Sequence, residues 1–252
     1  MTTARRVSNR LYIVLIALLA VLAATNLFLP QGDFVPSMPT QALPAAKGLM
    51  ALAVAGIMIV LYGGLGWIGL LLARKLGFPD LWEPAVSNRQ RFLIPALVGA
   101  ATGLCFILAD SLFSRIGSWG ALPHPPFPTS LVASAPAGIG EEIIFRLFFI
   151  PFWVWLLSSV LLKGRWQSQV FWFVAVWAAL AFAAGHLPAL MFLLGLQQVT
   201  EIPPLLLGEI LLLNGLLSLL AAFYFRKYGF LAAVGLHFWT DIVWHVIWGL
   251  FG

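Results

Sequence analysis

Seven long apolar runs, separated only by short polar or proline-rich junctions, occupy residues 11–29, 49–73, 92–113, 131–162, 170–196, 205–225 and 230–251. A helix rises about 1.5 Å per residue, so ~20 apolar residues cross a hydrocarbon core ~30 Å thick. Strands of a membrane barrel would read as ~10-residue alternating segments, whereas these runs are unbroken and rich in Leu and Ala. The expected fold is an all-α polytopic transmembrane bundle of about seven spans, with length enough for eight, forming one integral-membrane domain over residues 1–252. Composition agrees: 62% of residues are hydrophobic and 9% charged, against about 25% charged in soluble domains.

The first run follows Arg5, Arg6 and Arg10, but its 19 apolar residues exceed the ~7–15 of a secretory signal core, so it reads as a helix. The fourth run carries Pro136, Gly138 and Gly140 near its start, which predicts an irregular or re-entrant entry before regular helix, and Pro151 predicts a further kink. Residues 122–129 hold four prolines and His124 and read as an extramembrane loop, with His124 solvated. Gly99 and Gly103 form a small-xxx-small pair suited to close helix packing.

The net charge of +5 forms no basic face, which removes nucleic acid as a partner and leaves the lipid bilayer as the surroundings. Basic residues alternate by loop: Arg5, Arg6, Arg10, Arg74, Lys75, Arg89, Arg91, Lys163, Arg165, Arg226 and Lys227 on one side, only Lys47 and Arg115 on the other. The positive-inside rule then places the N-terminus in the cytoplasm and, after seven crossings, the C-terminus outside. Cys105, the single cysteine, excludes an internal disulfide and a thiolate zinc cluster.

Ionisable groups inside a membrane are costly and need a partner, a cavity or a function. The fourth run contains Gly140-Glu141-Glu142-Ile143-Ile144-Phe145-Arg146. Glu142 and Arg146 are four apart and share a helix face, as a charge-assisted pair requires. Glu141 points about 100° away, without a local cation, and is the candidate base. The fifth run places Phe182 and His186 four apart before Pro188; the seventh places His237, Asp241 and His245 at the same spacing. Each alone is equally explained as a structural polar contact between helices. Asp110 and Glu209 have no motif context and are assigned to the interface or to helix contacts.

Taken together, Glu-Glu-x-x-x-Arg, then Phe-x-x-x-His, then His-x-x-x-Asp, each on its own apolar helix across residues 140–241, resemble the CPBP group of intramembrane proteases. That group includes the CAAX prenyl-protein endopeptidases and bacteriocin-processing relatives. The resemblance implies catalytic helices over residues 131–251, a bacterial inner membrane, and a membrane-bound peptide or protein as substrate, of which a prenylated CAAX-type polypeptide is one candidate. It implies that Glu141 with His186 activates water and that His237 and Asp241 stabilise the oxyanion, with Glu142, Arg146 and Phe182 in support. Two positions depart from the pattern: Asp241 stands where the well-studied branch has Asn, and Leu147 follows the arginine where many relatives have Gly. An ionised Asp cannot donate to an oxyanion, so Asp241 is either protonated or orients His237 or a water.

Two His and one carboxylate also form a known catalytic zinc set, here Glu141, His186 and His237. No His-Glu-x-x-His helix accompanies them, and the metal-free reading, with no cofactor, is favoured. The competing class is a non-hydrolytic membrane protein, a proton-coupled carrier or an immunity or scaffold protein, using the same buried polar residues. No paired broken helices or inverted repeat of the transporter kind is visible in the sequence.

Overall fold

The computed structural model describes residues 3–32, 44–117 and 119–251, and among them no strand occurs. Seven helices are long and apolar enough to span a membrane: α1 (Thr3–Asn26), α2 (Ala46–Lys75), α3 (Arg89–Ile116), α4 (Thr129–Leu161), α5 (Gln167–Leu194), α6 (Pro204–Tyr228) and α7 (Phe230–Leu250). They match the seven apolar runs one for one, and the chain is an all-α, multi-pass integral membrane protein. The junctions alternate between a basic side, holding residues 76–88, 162–166 and Gly229, and an opposite side, holding residues 119–128 and 195–203.

Lipid offers no hydrophobic drive for one helix to join another, so the bundle closes through backbone approach and buried polar contacts. Large apolar side chains such as Leu52, Val60, Leu108 and Phe173 stay exposed, as lipid contact requires. The most enclosed helix is α7, which packs on α3, α4 and α6, while α4 packs on α1, α2, α5 and α7. Gly99 of α3 lies against the Leu236 carbonyl of α7, where a Cβ has no room, and Gly103 lies against Val243. Thr240 fastens the same seam, its hydroxyl 3.1 Å from the Gly99 carbonyl. Gly99→Val is therefore expected to force α3 off α7 and cost roughly 1–3 kcal/mol, read as a lowered melting temperature of the purified protein.

The entry of α4 differs from the sequence expectation. Thr129–Glu142 is regular α-helix with Pro136 inside it, not a re-entrant piece. Pro136 removes one backbone hydrogen bond, its neighbours Ala135 and Ala137 are small, and Gly138 and Gly140 serve close packing against Phe238 and Tyr62. The expected second irregularity is present: Ile143–Phe149 winds as π-helix just before Pro151. Pro151 has no amide hydrogen to give the Leu147 carbonyl four residues back, and α2 crosses there, with Gly69 against that carbonyl. Another π segment, Ile242–Ile247, follows Asp241 in α7, and further ones lie at Met58–Tyr62, Arg89–Leu93 and Trp155–Leu161. Of these five, the segments at Ile143–Phe149 and Ile242–Ile247 begin directly after Glu142 and Asp241, and such bulges are often found at functional sites.

Candidate active site

The close approach of α4 to α7 fixes the first part of the site. Glu142 on α4 is fully buried, and its Oε1 accepts from His237 Nδ1 of α7 at 2.8 Å. Its other oxygen meets Arg146 Nε at 3.1 Å, with both side chains sealed from solvent. The guanidinium of Arg146 lies 4.8 Å from the centre of the Phe182 ring of α5, and that ring packs on His237 and His186 with centroids 5.8 and 4.9 Å away. The electron-rich ring face offsets part of the buried positive charge. Glu142, Arg146 and Phe182 therefore form one buried scaffold that holds His237 by its Nδ1 and turns its Nε2 toward the remaining carboxylates.

Glu141 occupies the other side of its helix. Its side chain is 37% exposed where that of Glu142 is 0%, and it lines a cavity of about 300 Å³. Its Oε2 has no hydrogen-bond partner and lies 3.8 Å from His237 Nε2. Asp241, one turn beyond His237, brings its Oδ2 to 3.7 Å of the same nitrogen. Both separations are longer than hydrogen bonds, so the imidazole and two carboxylates border an open corner of the cavity.

His186 reaches that cavity from α5 at a break in the helix. The α-helix Gln167–Gly185 ends there and a new one starts at Leu187, with Pro188 in its first turn. The His186 Nδ1 lies 2.9 Å from the Phe182 carbonyl; a carbonyl only accepts, so Nδ1 carries a proton, and in the neutral ring Nε2 is left as the acceptor. The structure thus brings Glu141, His186, His237 and Asp241 around one cavity, with Glu142, Arg146 and Phe182 behind them. Among the described residues no group of three His, Cys, Asp or Glu side chains is disposed to hold a metal ion.

His124 has a place that the sequence reading did not give it, and Asp110 and Glu209 take the second of the two places it offered them. His124 is not solvated: its ring packs edge-on to Trp244 with centroids 4.6 Å apart, and its Nδ1 lies 3.2 Å from His245 Nδ1. Asp110 and Glu209 are fully buried inside the bundle, not at the interface, and Asp110 accepts the Leu122 amide at 3.1 Å. Asn214 of α6, which no motif marks, and His245 both line the cavity. His245 carries the one legible signal, since it continues the four-residue stripe of His237 and Asp241.

Depths along the helices order these groups. Counting roughly 1.5 Å per residue from the side opposite the basic one, His245 lies ~8 Å in, His186 ~12 Å, Asp241 ~14 Å, Glu141 ~18 Å and His237 ~20 Å. The cavity runs inward from residues 119–128, of which Leu122, Pro123 and Pro125 form its roof. The profile of a family described as Type II CAAX prenyl endopeptidase Rce1-like matches residues 123–243. That span starts at the roof and takes in Glu141, His186, His237 and Asp241. No curated protein and no solved structure matched the chain.

Proposed function

Because residues 123–243 are those of the Rce1-like endopeptidase family, we propose that the chain is an intramembrane endopeptidase in which Glu141 is the general base. One observation carries the reading: of two adjacent glutamates, Glu142 is sealed against Arg146 and His237, whereas the side chain of Glu141 is 37% exposed and lines the cavity. A water between Glu141 and the lone pair of His186 Nε2 gives its proton to the Glu141 carboxylate as its oxygen attacks the peptide carbonyl carbon. His237, protonated on both nitrogens, donates Nδ1–H to Glu142 and Nε2–H to the developing oxyanion. Protonated Glu141 then delivers its proton to the leaving nitrogen as the C–N bond breaks, and the carboxylate is restored.

Asp241 completes this arrangement as a counter-charge. A carboxylate 3.7 Å from Nε2 supports the imidazolium that donates to the oxyanion and does not itself need to donate. In this reading Asp241 orients and charges His237. The substitution of Asp for Asn is then compatible with catalysis.

The basic side faces the cytoplasm by the positive-inside rule, so the N-terminus is cytoplasmic, the C-terminus is outside, and the cavity roof lies toward the outer leaflet of a bacterial inner membrane. With Glu141 and His237 ~18–20 Å in from that side, the scissile bond lies near the middle of the bilayer and is reached from the outer side by an exported or membrane-embedded polypeptide. A prenylated CAAX-type polypeptide is the alternative substrate.

The deciding assay incubates the purified protein in bilayers with a library of membrane-associated and prenylated peptides and identifies fragments by mass spectrometry, with and without a zinc chelator. Cleavage unaffected by chelator is expected. Cleavage lost with chelator and restored by zinc would instead make this a metalloprotease. Absence of cleavage, together with pH-gradient-driven flux that depends on Glu141 in proteoliposomes, would replace the protease reading with transport.

A further inference from the structure

The roof of the cavity is a segment with few backbone donors to bind it to the helices. Pro123, Pro125, Pro126 and Pro128 have no amide hydrogen, and the side chains at 122, 123 and 125 are apolar. The Ser130 and Val132 amides of α4 donate to the Pro126 and Pro128 carbonyls at the far end of the segment, and two further polar contacts hold the residues nearer the cavity. The Leu122 amide donates to Asp110 Oδ1 of α3 at 3.1 Å. His124 Nδ1 meets His245 Nδ1 of α7 at 3.2 Å. Gly249, one turn further along α7, leaves room for the imidazole, since a Cβ there would lie 2.9 Å from the His124 Cβ.

Burial pushes His124 down to about 4, so its ring is neutral at physiological pH. Between two neutral imidazoles, one Nδ1–H donates to the other Nδ1 lone pair. The arrangement has a cost: His124 Nε2 is buried without a partner, and a buried unsatisfied group costs roughly 1–3 kcal/mol. An apolar side chain at 124 packing on Trp244 would avoid it. A pair of imidazoles that gives up this much stability while holding the roof of a catalytic cavity suggests a role in the reaction.

We propose that His245 and His124 form a latch that positions the roof over the active-site cavity and thereby sets how the substrate segment is held. The inference rests on the protease reading for the word substrate. His245 is a positioning residue: it follows Asp241 by four residues on α7 and lines the same cavity, but it acts through His124 on Leu122, Pro123 and Pro125. The helix that presents His237 to the reacting carbonyl thus also carries the fastening of the wall against which the polypeptide lies.

Two readouts test the latch. In a Cys105→Ala background, Leu122→Cys supplies a thiol on the roof, and its rate of reaction with a small water-soluble thiosulfonate reports how often the roof opens. His124→Ala and His245→Ala are each expected to raise that rate about two- to tenfold, the population change that follows loss of one buried hydrogen bond, and the double variant no further. His124→Asn, whose amide occupies the place of Nδ1, should return the rate to near wild type, while His124→Gln should not. On the wild-type roof, both alanine variants should raise KM by a similar factor with kcat unchanged. Labelling unchanged in both alanine variants overturns the latch, and a lowered kcat at constant KM overturns the positioning role. Since labelling needs no turnover, a protein that cleaves nothing would refute the protease reading while the labelling rates still decide the latch.

Discussion

Glu141→Gln is expected to lower peptide cleavage about 10²–10⁴-fold, the contribution of a positioned general base, while the protein inserts, purifies and melts as the wild type does. The substitution keeps the shape of the side chain and removes only its capacity to take a proton. Stability should hold because no hydrogen bond is lost: the Glu141 Oε2 has no partner, and its closest cation, His237 Nε2, is 3.8 Å away. The same change at Glu142 removes a charge bonded to both His237 and Arg146 and should lower activity and melting temperature together. Cleavage assays and thermal melts of the two variants side by side separate the neighbours. Full activity in Glu141→Gln, or a protein that no longer folds, would sink the assignment of the base.

That contrast was largely legible in the sequence. Adjacent residues on a helix point about 100° apart, and only Glu142 has an arginine four residues on, so one glutamate had to be paired and the other had to face elsewhere. The seven spans were legible for a simpler reason, since length and hydropathy are local properties. What the sequence misassigned depends on contacts between distant parts of the chain. The composition of residues 122–129 states that they are not helical, but not that they fold back over α7, so His124 could not be matched with His245, 121 residues later. Asp110 was left between the interface and helix contacts; the structure takes the second, and its contact with the Leu122 amide of that same loop carries no side-chain signal.

The π segments were illegible in another way. Pro151 announced an irregularity in α4, yet the wide turns flank it, at Ile143–Phe149, where Gly69 brings α2 against the α4 backbone, and at Trp155–Leu161. Their consequence for the site is rotational. A π turn resets the face of the helix that follows it, so the residues after Glu142 keep Arg146 beneath Glu142 while Leu147 and Ile150 remain fully buried. No periodicity count over an all-apolar stretch could reveal that offset.

Arg146→Ala is expected to cost about 3–5 kcal/mol of stability, because it breaks a buried ion pair and leaves the Glu142 carboxylate with His237 as its one partner. Arg146 and Glu142 are both fully buried, 3.1 Å apart, so no solvent screening lessens the loss. The informative variant is the double one. Replacing both partners by apolar side chains of similar size, Glu142→Leu with Arg146→Met, removes the charge and its counter-charge together, and such replacements of buried pairs are often neutral or stabilising. The double variant should therefore recover most of the melting temperature lost in Arg146→Ala. Its cleavage should stay as low as in the single variant, because His237 Nδ1 no longer has the carboxylate that fixes its orientation and supports its charge. Recovery of stability without recovery of activity would show that the pair serves to set His237. Recovery of both would show that it serves folding alone and would remove Glu142 from the mechanism. If neither recovers, the ring of Phe182, 4.8 Å from the guanidinium, is the contact to test next, since Met at 146 would leave its face without the cation it now holds.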